Sequence, residues 1–386
     1  MKKQRKNKHM IRWILLVLPL ILTLLLRLVW NKKGFADWYA KTIFPVFPNT
    51  LGRLFSPIPF SVYEWILYIL IFSILCILFT LLCFLFRWLY RILRKKKRRS
   101  ALSFRRKHTP IYKMPFFFRI VYSIGFLALW ATFLLHATDL IHYRRTSVAV
   151  DFHLKIEPSS VKELTALCKK LSSDLTKLSK QITVDEKHLL KLPTSYEQDA
   201  KKAMETLGKT YPAFSGYYPN PKPVTFSKGM SYLNLTGLYS PFTIEANYNH
   251  DVPSYNIPYT ICHELAHLKG FIREDEAGFI AYMACIHSKN ATLQYSGTLS
   301  AFIYATNALY SAGATDTYKQ IFESLPKQAL IDISYNSFYW NQFKSKVSEV
   351  AESANDAYLK ANHQTDGVQS YGRMVDLMLA EYHTRQ

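Results

Sequence analysis

The sequence predicts a membrane α-helical N-terminal region of three transmembrane helices, followed by a mainly α, α+β domain. Three observations predict it. Three long apolar runs fall within the first 137 residues, the excess positive charge is confined to the same stretch, and amphipathic helical periodicity takes over beyond it. Residues 1–137 supply the whole formal charge of +22, with 24 Lys and Arg against Asp37 and Glu64, whereas residues 138–386 hold 25 basic and 25 acidic side chains. A soluble basic protein and a wholly disordered chain are thereby excluded, and no nucleic-acid partner is expected. The expected organisation is a membrane region at 1–137, a helical connector or packing layer at 138–210 and a domain that carries the chemistry at 211–386.

The apolar runs 11–30, 62–86 and 116–137 each reach the roughly 20 residues that a hydrocarbon core of about 30 Å requires. The second carries no charge after Glu64. The first includes Arg12 and Arg27 near its ends, from which long side chains reach the headgroups, and Pro19, which a spanning helix tolerates. Its length, and the lack of a small-x-small site after it, distinguish it from a cleaved signal peptide. Orientation follows from the basic residues. Lys2, Lys3, Arg5, Lys6 and Lys8 precede the first run, and the basic stretch 94–99 with Arg105, Arg106 and Lys107 separates the second from the third. The positive-inside rule places both in the cytoplasm, with loop 31–61 and everything beyond about residue 138 outside the plasma membrane. The lipid bilayer is therefore one expected partner. Five cysteines without a pairing pattern predict no disulfide framework, with room for one bridge at most.

From 151 to 209 the pattern is helical, with Val161, Leu164, Leu167, Cys168, Leu171, Leu175 and Leu178 at three- and four-residue steps and a start at Ser159 and Ser160. Residues 217–223 are rich in Tyr and Pro and read as a turn, and 224–249 reads as two or three short strands. Mostly helices follow. No internal repeat is evident.

Within that helical part lies an HExxH sequence: His263, Glu264 and His267. Its chance expectation at this composition is about 0.01, so coincidence is a poor account of it. Residues four apart on a helix lie about 40° apart around the axis and about 6 Å along it, so both imidazoles can converge on one Zn²⁺. Glu264, beside the first ligand, is placed to act as general base. Asn256 as cap, Pro258 in the first turn and Gly270 past the end frame the helix. A catalytic zinc needs a third protein ligand, and Glu274, Asp275 and Glu276 begin the next helix after a reversal at Gly270. Their alternative role is compensation of that helix's dipole.

Glu274-Asp275-Glu276-Ala277 resembles the Glu-x-x-Ala-Asp/Asn pattern of gluzincin-type zinc metallopeptidases, among them the membrane-bound CAAX-endopeptidase and heat-shock protease families. The resemblance implies a zincin-like domain with Glu274 as third ligand and Glu276 as second choice. Gly278 stands where those families have Asp or Asn, which puts the tuning of the site in doubt rather than its existence. The segments 215–219, 236–247, 295–297 and 355–360, together with the HELAH and EDEA core, resemble an uncharacterised bacterial domain-of-unknown-function family of membrane-anchored HExxH proteins. That resemblance implies the architecture and supplies no substrate.

The expectation is a membrane-anchored, zinc-dependent metallopeptidase that hydrolyses a peptide or protein substrate outside the cytoplasm, with metal ligands His263, His267 and Glu274 and general base Glu264. Imidazole and carboxylate ligands also suit other divalent ions. The alternative is a non-catalytic, membrane-anchored ectodomain that binds a peptide or envelope component. Intramembrane proteolysis is disfavoured because residues 263–274 lie far along the chain from every span. Residues 242–247 read as an edge strand for substrate, with Glu245 and Asn247 either lining the cleft or making ordinary cross-strand contacts. Tyr295, His363, Tyr371 and Arg373 are the candidate oxyanion donors. Nothing in the sequence fixes an oligomeric state.

Overall fold

The computed structural model describes residues 2–96, 114–362 and 373–385. It is mostly helical, with one small sheet. The basic stretch beyond Lys96, and the candidates His363 and Tyr371, lie outside the described residues.

Three helices are long and apolar enough to cross a membrane: Met10–Val29, Val62–Ile92 and Ile120–Arg144. The second extends six residues past the expected end, because Arg87 and Arg91 do not interrupt the helix. The chain divides into two compact units. One comprises residues 1–20 and 62–131. Within it Tyr122 donates to the Arg12 carbonyl at 2.8 Å and Trp130 Nε1 to the Leu15 carbonyl at 3.2 Å. Its outer surface is apolar, with Ile69, Phe72, Phe79 and Phe86 each more than 60% exposed. Such a surface suits lipid rather than water.

The other unit comprises residues 21–61 and 132–386. Residues 31–61, expected as an outer loop, are a folded part of it. Gly34, in the left-handed region, starts a helix at Phe35–Thr42 that buries Ala36, Tyr39 and Ala40. Tyr39 donates to the Ala137 carbonyl at 2.9 Å, and the Arg144 guanidinium lies 3.6 Å over the Trp30 ring. Leu26, Trp30, Tyr39, Phe44, Ala137 and Ile141 form a small apolar core.

Residues 138–210 belong to the same compact unit as residues 211–386. Helices Val161–Leu178 and Tyr196–Thr210 put Leu164, Leu167, Leu171, Met204 and Leu207 into the same core as helices Asn256–His267 and Glu274–Ile286. Ser160 begins the first of them with a capping box to Glu163. Strands β1 (Lys222–Pro223), β2 (Gly237–Ser240) and β3 (Glu245–Tyr248) form a sheet in the order β1-β3-β2, with β1 parallel and β2 antiparallel to β3. The expected edge strand is therefore the central one, and β2 lies at the edge. Glu245 is sealed in an ion pair with Lys222, and Asn247 is fully buried with its amide on the Leu238 carbonyl, so neither faces a cleft.

The HExxH segment forms a helix at Asn256–His267, packed on β2, β3 and helices Tyr196–Thr210, Glu274–Ile286 and Ala291–Ser311. Asn256 does not cap it. Its amide donates to Asn336, and Ser296 from a neighbouring helix accepts the Tyr259 N–H at 3.0 Å, satisfying an otherwise orphan donor. Gly270, at φ 74°, turns the chain toward the acidic helix as expected. All five cysteines are free, and the Cys262 and Cys285 sulfurs lie 3.8 Å apart between the two helices.

Candidate metal centre

The helix Asn256–His267 buries every residue except Asn256 and His263, so its imidazoles are positioned by packing rather than by solvent-exposed loops. The antiparallel return through Gly270 brings the first residue of the acidic helix Glu274–Ile286 beside His263. His263 Nε2 and Glu274 Oε2 are 2.9 Å apart, and one ligand atom from each of His263, His267 and Glu274 lies within 4.8 Å of the others. Tetrahedral coordination with bonds of about 2.0–2.2 Å needs ligand atoms roughly 3.3–3.6 Å apart, so a shift of about 1 Å seats a cation. The His263 and His267 rings stand at 89° with centroids 4.8 Å apart.

His267 Nδ1 donates to the Phe271 carbonyl at 2.7 Å, since a carbonyl only accepts. The other ring nitrogen is thereby left as an acceptor, the tautomer a metal ligand needs. Burial depresses the His267 imidazole to about 4, with the His263 charge acting in the same direction. It is neutral and ready to ligate at ordinary pH. Burial also pulls His263 down, but the hydrogen bond and charge of Glu274 outweigh it and leave the group above its usual value. Glu264 is pushed up to about 8 by burial, opposed by His263 and helped by the charge of Glu274. Its Oε2 is buried without a hydrogen-bond partner. An orphan carboxylate oxygen beside converging ligands is the observation that fits an added cation and water.

The acids after Gly270 have separate roles. Glu276, the second choice for ligand, accepts the Val148 N–H at 2.9 Å and pairs with Arg273 at 3.1 Å, turned away from the histidines. Asp275 pairs with Arg373 at 3.3 Å. Arg373 is thereby engaged, and Tyr295 donates to Asp332 at 2.7 Å inside the core. Gly278 accepts the Tyr259 hydroxyl on its carbonyl at 3.2 Å, which makes the position a helix-packing contact.

Several neighbours escaped the sequence reading. Gly237 of β2 lies against Glu264, and a methyl there would stand 2.7 Å from its Cγ and Cδ. Gly237→Ala is therefore expected to displace the Glu264 carboxylate and lower the thermal stability of the protein, as checked by its melting temperature. The Tyr239 ring lies 6.0 Å from that of His267. A cavity of about 640 Å³ opens along the first turns of the ligand helix, lined by Thr236, Tyr259, Thr260, Ser300, Tyr304 and Trp340. Ser300, 6% exposed, has an unpartnered hydroxyl there. Burial pushes the Tyr304 hydroxyl up to about 12, with the charge of Glu274 adding to the shift, so Tyr304 remains a donor near the ligands. No sequence signal marks these residues, since a lone Tyr or Ser among many carries no spacing.

The fold and site thus define a mostly helical protein with candidate membrane spans and an HExxH helix facing an acidic one. The chain belongs to the family described as protein of unknown function (DUF3810), which matches residues 39–379. That description assigns no activity. No curated protein and no solved structure matches the chain.

Proposed function

We propose that this chain is a membrane-anchored, divalent-metal-dependent peptidase, with zinc as the expected ion and the site outside the cytoplasm. The carrying observation is the convergence of His263, His267 and Glu274 within 4.8 Å beside the orphan oxygen of Glu264. His263 Nε2, the free nitrogen of His267 and Glu274 Oε2 would hold the ion. Bound there, it would polarise a peptide carbonyl and acidify a water molecule. Glu264 accepts the proton of the attacking water and returns it to the departing amide nitrogen. Water oxygen joins the carbonyl carbon, the C–N bond breaks, and a carboxylate and an amine leave. Outer strand β2, packed on the ligand helix, is the place for an extended peptide to add, and Tyr304 is the donor on the cavity wall for the developing oxyanion. Orientation rests on the basic residues that flank the spans.

A second reading is a non-catalytic binding ectodomain. It draws on the direct His263–Glu274 bond, which satisfies both groups without a cation. The test is elemental analysis of the purified, detergent-solubilised full chain, followed by exposure to a mixed peptide library with and without chelator. About one zinc per chain with chelator-sensitive cleavage is expected. A protein without bound metal, or with metal and no cleavage, overturns the peptidase reading.

A further inference from the structure

Beside the candidate metal centre lies the cavity of about 640 Å³, most of whose polar lining the hydrolytic chemistry leaves without a role. It starts at the first turns of helix Asn256–His267, where Asn256, Tyr259 and Thr260 line it. The Tyr259 ring lies 6.4 Å from that of His263, and Thr236 on the cavity wall precedes Gly237, which lies against Glu264. The cavity therefore opens within about one helical turn, roughly 6 Å, of the first candidate ligand. Helix Ala291–Ser311 supplies a further wall through Ser300 and Tyr304, which at four residues apart share a face.

Two polar groups of the lining are set for a ligand. The Ser300 hydroxyl, on a residue 6% exposed, lacks a partner, although a helical serine can bond the carbonyl one turn back. Asn336 is held through one oxygen by two donors, Asn256 Nδ2 at 2.8 Å and Trp340 Nε1 at 3.1 Å. An indole nitrogen only donates, so the atom facing it is the amide oxygen, and Asn336 Nδ2 is left without an acceptor among the described residues. The charged members of the lining, Lys344, Glu349 and Glu352, are all exposed, so its deeper part is neutral. An ion placed there loses hydration without gaining a buried counter-charge. An apolar group leaves the Ser300 hydroxyl and the Asn336 amide unpaired. The volume falls in the range of about 300–1,000 Å³ that holds a whole drug-sized ligand, more than one amino-acid side chain fills. A sugar ring meets all three conditions. It is neutral and large enough, its edge carries hydroxyls that both donate and accept, and its faces carry C–H groups that pack on rings such as Tyr259 and Trp340.

We infer that this cavity binds a neutral sugar carried by the substrate, so that the peptides cut are glycosylated ones, with Ser300 and Asn336 as the residues that select them. As a substrate class the inference rests on the peptidase reading; as a binding site it rests on the cavity alone. The Ser300 hydroxyl exchanges a hydrogen bond with a sugar hydroxyl, and Asn336 Nδ2 donates to a sugar oxygen. A peptide without the sugar leaves both unpaired, and a site built around hydroxyl groups rejects the analogue that lacks them. At about 3.3 Å per extended residue, the 6.4 Å between the Tyr259 and His263 rings sets the sugar-bearing residue roughly two positions from the bond cut. Two carriers present the same chemistry: a sugar on a serine side chain, and a sugar joined through its own acid group to the N-terminus of a peptide.

The test uses the detergent-solubilised full chain and dye-labelled random ten-residue peptides in three forms: plain, with N-acetylglucosamine on a central serine, and with N-acetylmuramic acid amide-linked to the N-terminus. Binding is read by fluorescence anisotropy on the chelator-treated protein and cleavage on the zinc-loaded one, with Glu264→Gln as the blank for cleavage. A sugar-bearing form is expected to bind and to be cut about tenfold or more better than the plain one, and the form preferred identifies the carrier. Ser300→Ala and Asn336→Asp should each narrow that preference about threefold or more. The second keeps the oxygen that Asn256 and Trp340 hold and removes only the donor. Equal binding and cutting of all three forms, or a preference that both variants leave intact, overturns the sugar site and leaves the peptidase standing. A sugar preference in binding without chelator-sensitive cleavage overturns the peptidase reading and keeps the site. Neither preference nor cleavage overturns both.

Discussion

Glu264→Gln is expected to abolish chelator-sensitive hydrolysis while leaving the metal content of the protein unchanged. Gln has the size of Glu and keeps an amide oxygen toward the site, but it cannot accept a proton from water. The expected loss of turnover is about 10²–10⁴-fold, the usual contribution of a positioned general base. Folding should not suffer, because the native carboxylate already has a buried oxygen without a partner, and a neutral side chain lowers the cost of burying it. Thermal unfolding, zinc per chain and turnover measured on one preparation give the full comparison. Retained hydrolysis would assign the base to another residue.

Glu274→Ala is expected to remove both metal and activity. Two imidazoles remain, which is short of the three protein ligands a catalytic zinc uses. Glu276→Ala provides the contrast. It should keep the metal, because Glu276 faces Arg273 and Val148, and should instead lower stability by about 1–3 kcal/mol by leaving the buried Val148 N–H without its acceptor. A chelator-competition titration and a denaturation curve separate the two acids. Acidification should mimic the loss of Glu274. In the metal-free protein, His263 is held above its ordinary value chiefly by Glu274 against the opposing effect of burial. The protonated pair stabilises that form fully below the unfolded value of about 6.5, and the contribution is lost as pH rises through the raised folded value. A cation competes for the same nitrogen, so apparent zinc affinity should fall on acidification through that window and recover above it. A flat affinity across about pH 5–8 would exclude His263 as a ligand.

The sequence was legible where chemistry is local. Spans, the helix that carries His263, Glu264 and His267, and the reversal at Gly270 all depend on composition or on spacing of a few residues, and each is found where the pattern puts it. Helical geometry separates Glu274 from Glu276: residues two apart on a helix point about 200° apart, so they cannot share a target. What escaped was long-range. Nothing in residues 242–247 reveals that β1, two residues long, pairs on their far side and makes that strand central. Neither does the spacing of Asp37, Tyr39 and Trp30 announce partners more than a hundred positions on, or nearly so, at Thr146, Ala137 and Arg144. Nor does the sequence reveal that Tyr239 joins the His267 ring to the Thr138 carbonyl, 101 residues earlier.

The folded character of segment 31–61 bears on how the molecule is made. Tyr39 must wait for the Ala137 carbonyl, 98 residues later, before its hydroxyl is satisfied. At about 5–20 residues per second that delay lasts roughly 5–20 s, during which the second and third long apolar helices are synthesised. The small core around Trp30 and Phe44 therefore closes only after both have been made. The reversal at Gly270, which sets Glu274 beside His263, packs on His142 of the same late-arriving stretch. The approach of Glu274 to His263 thereby depends on a stretch that lies immediately after the third apolar helix: until His142 is in place, the turn that joins the two helices lacks its packing partner.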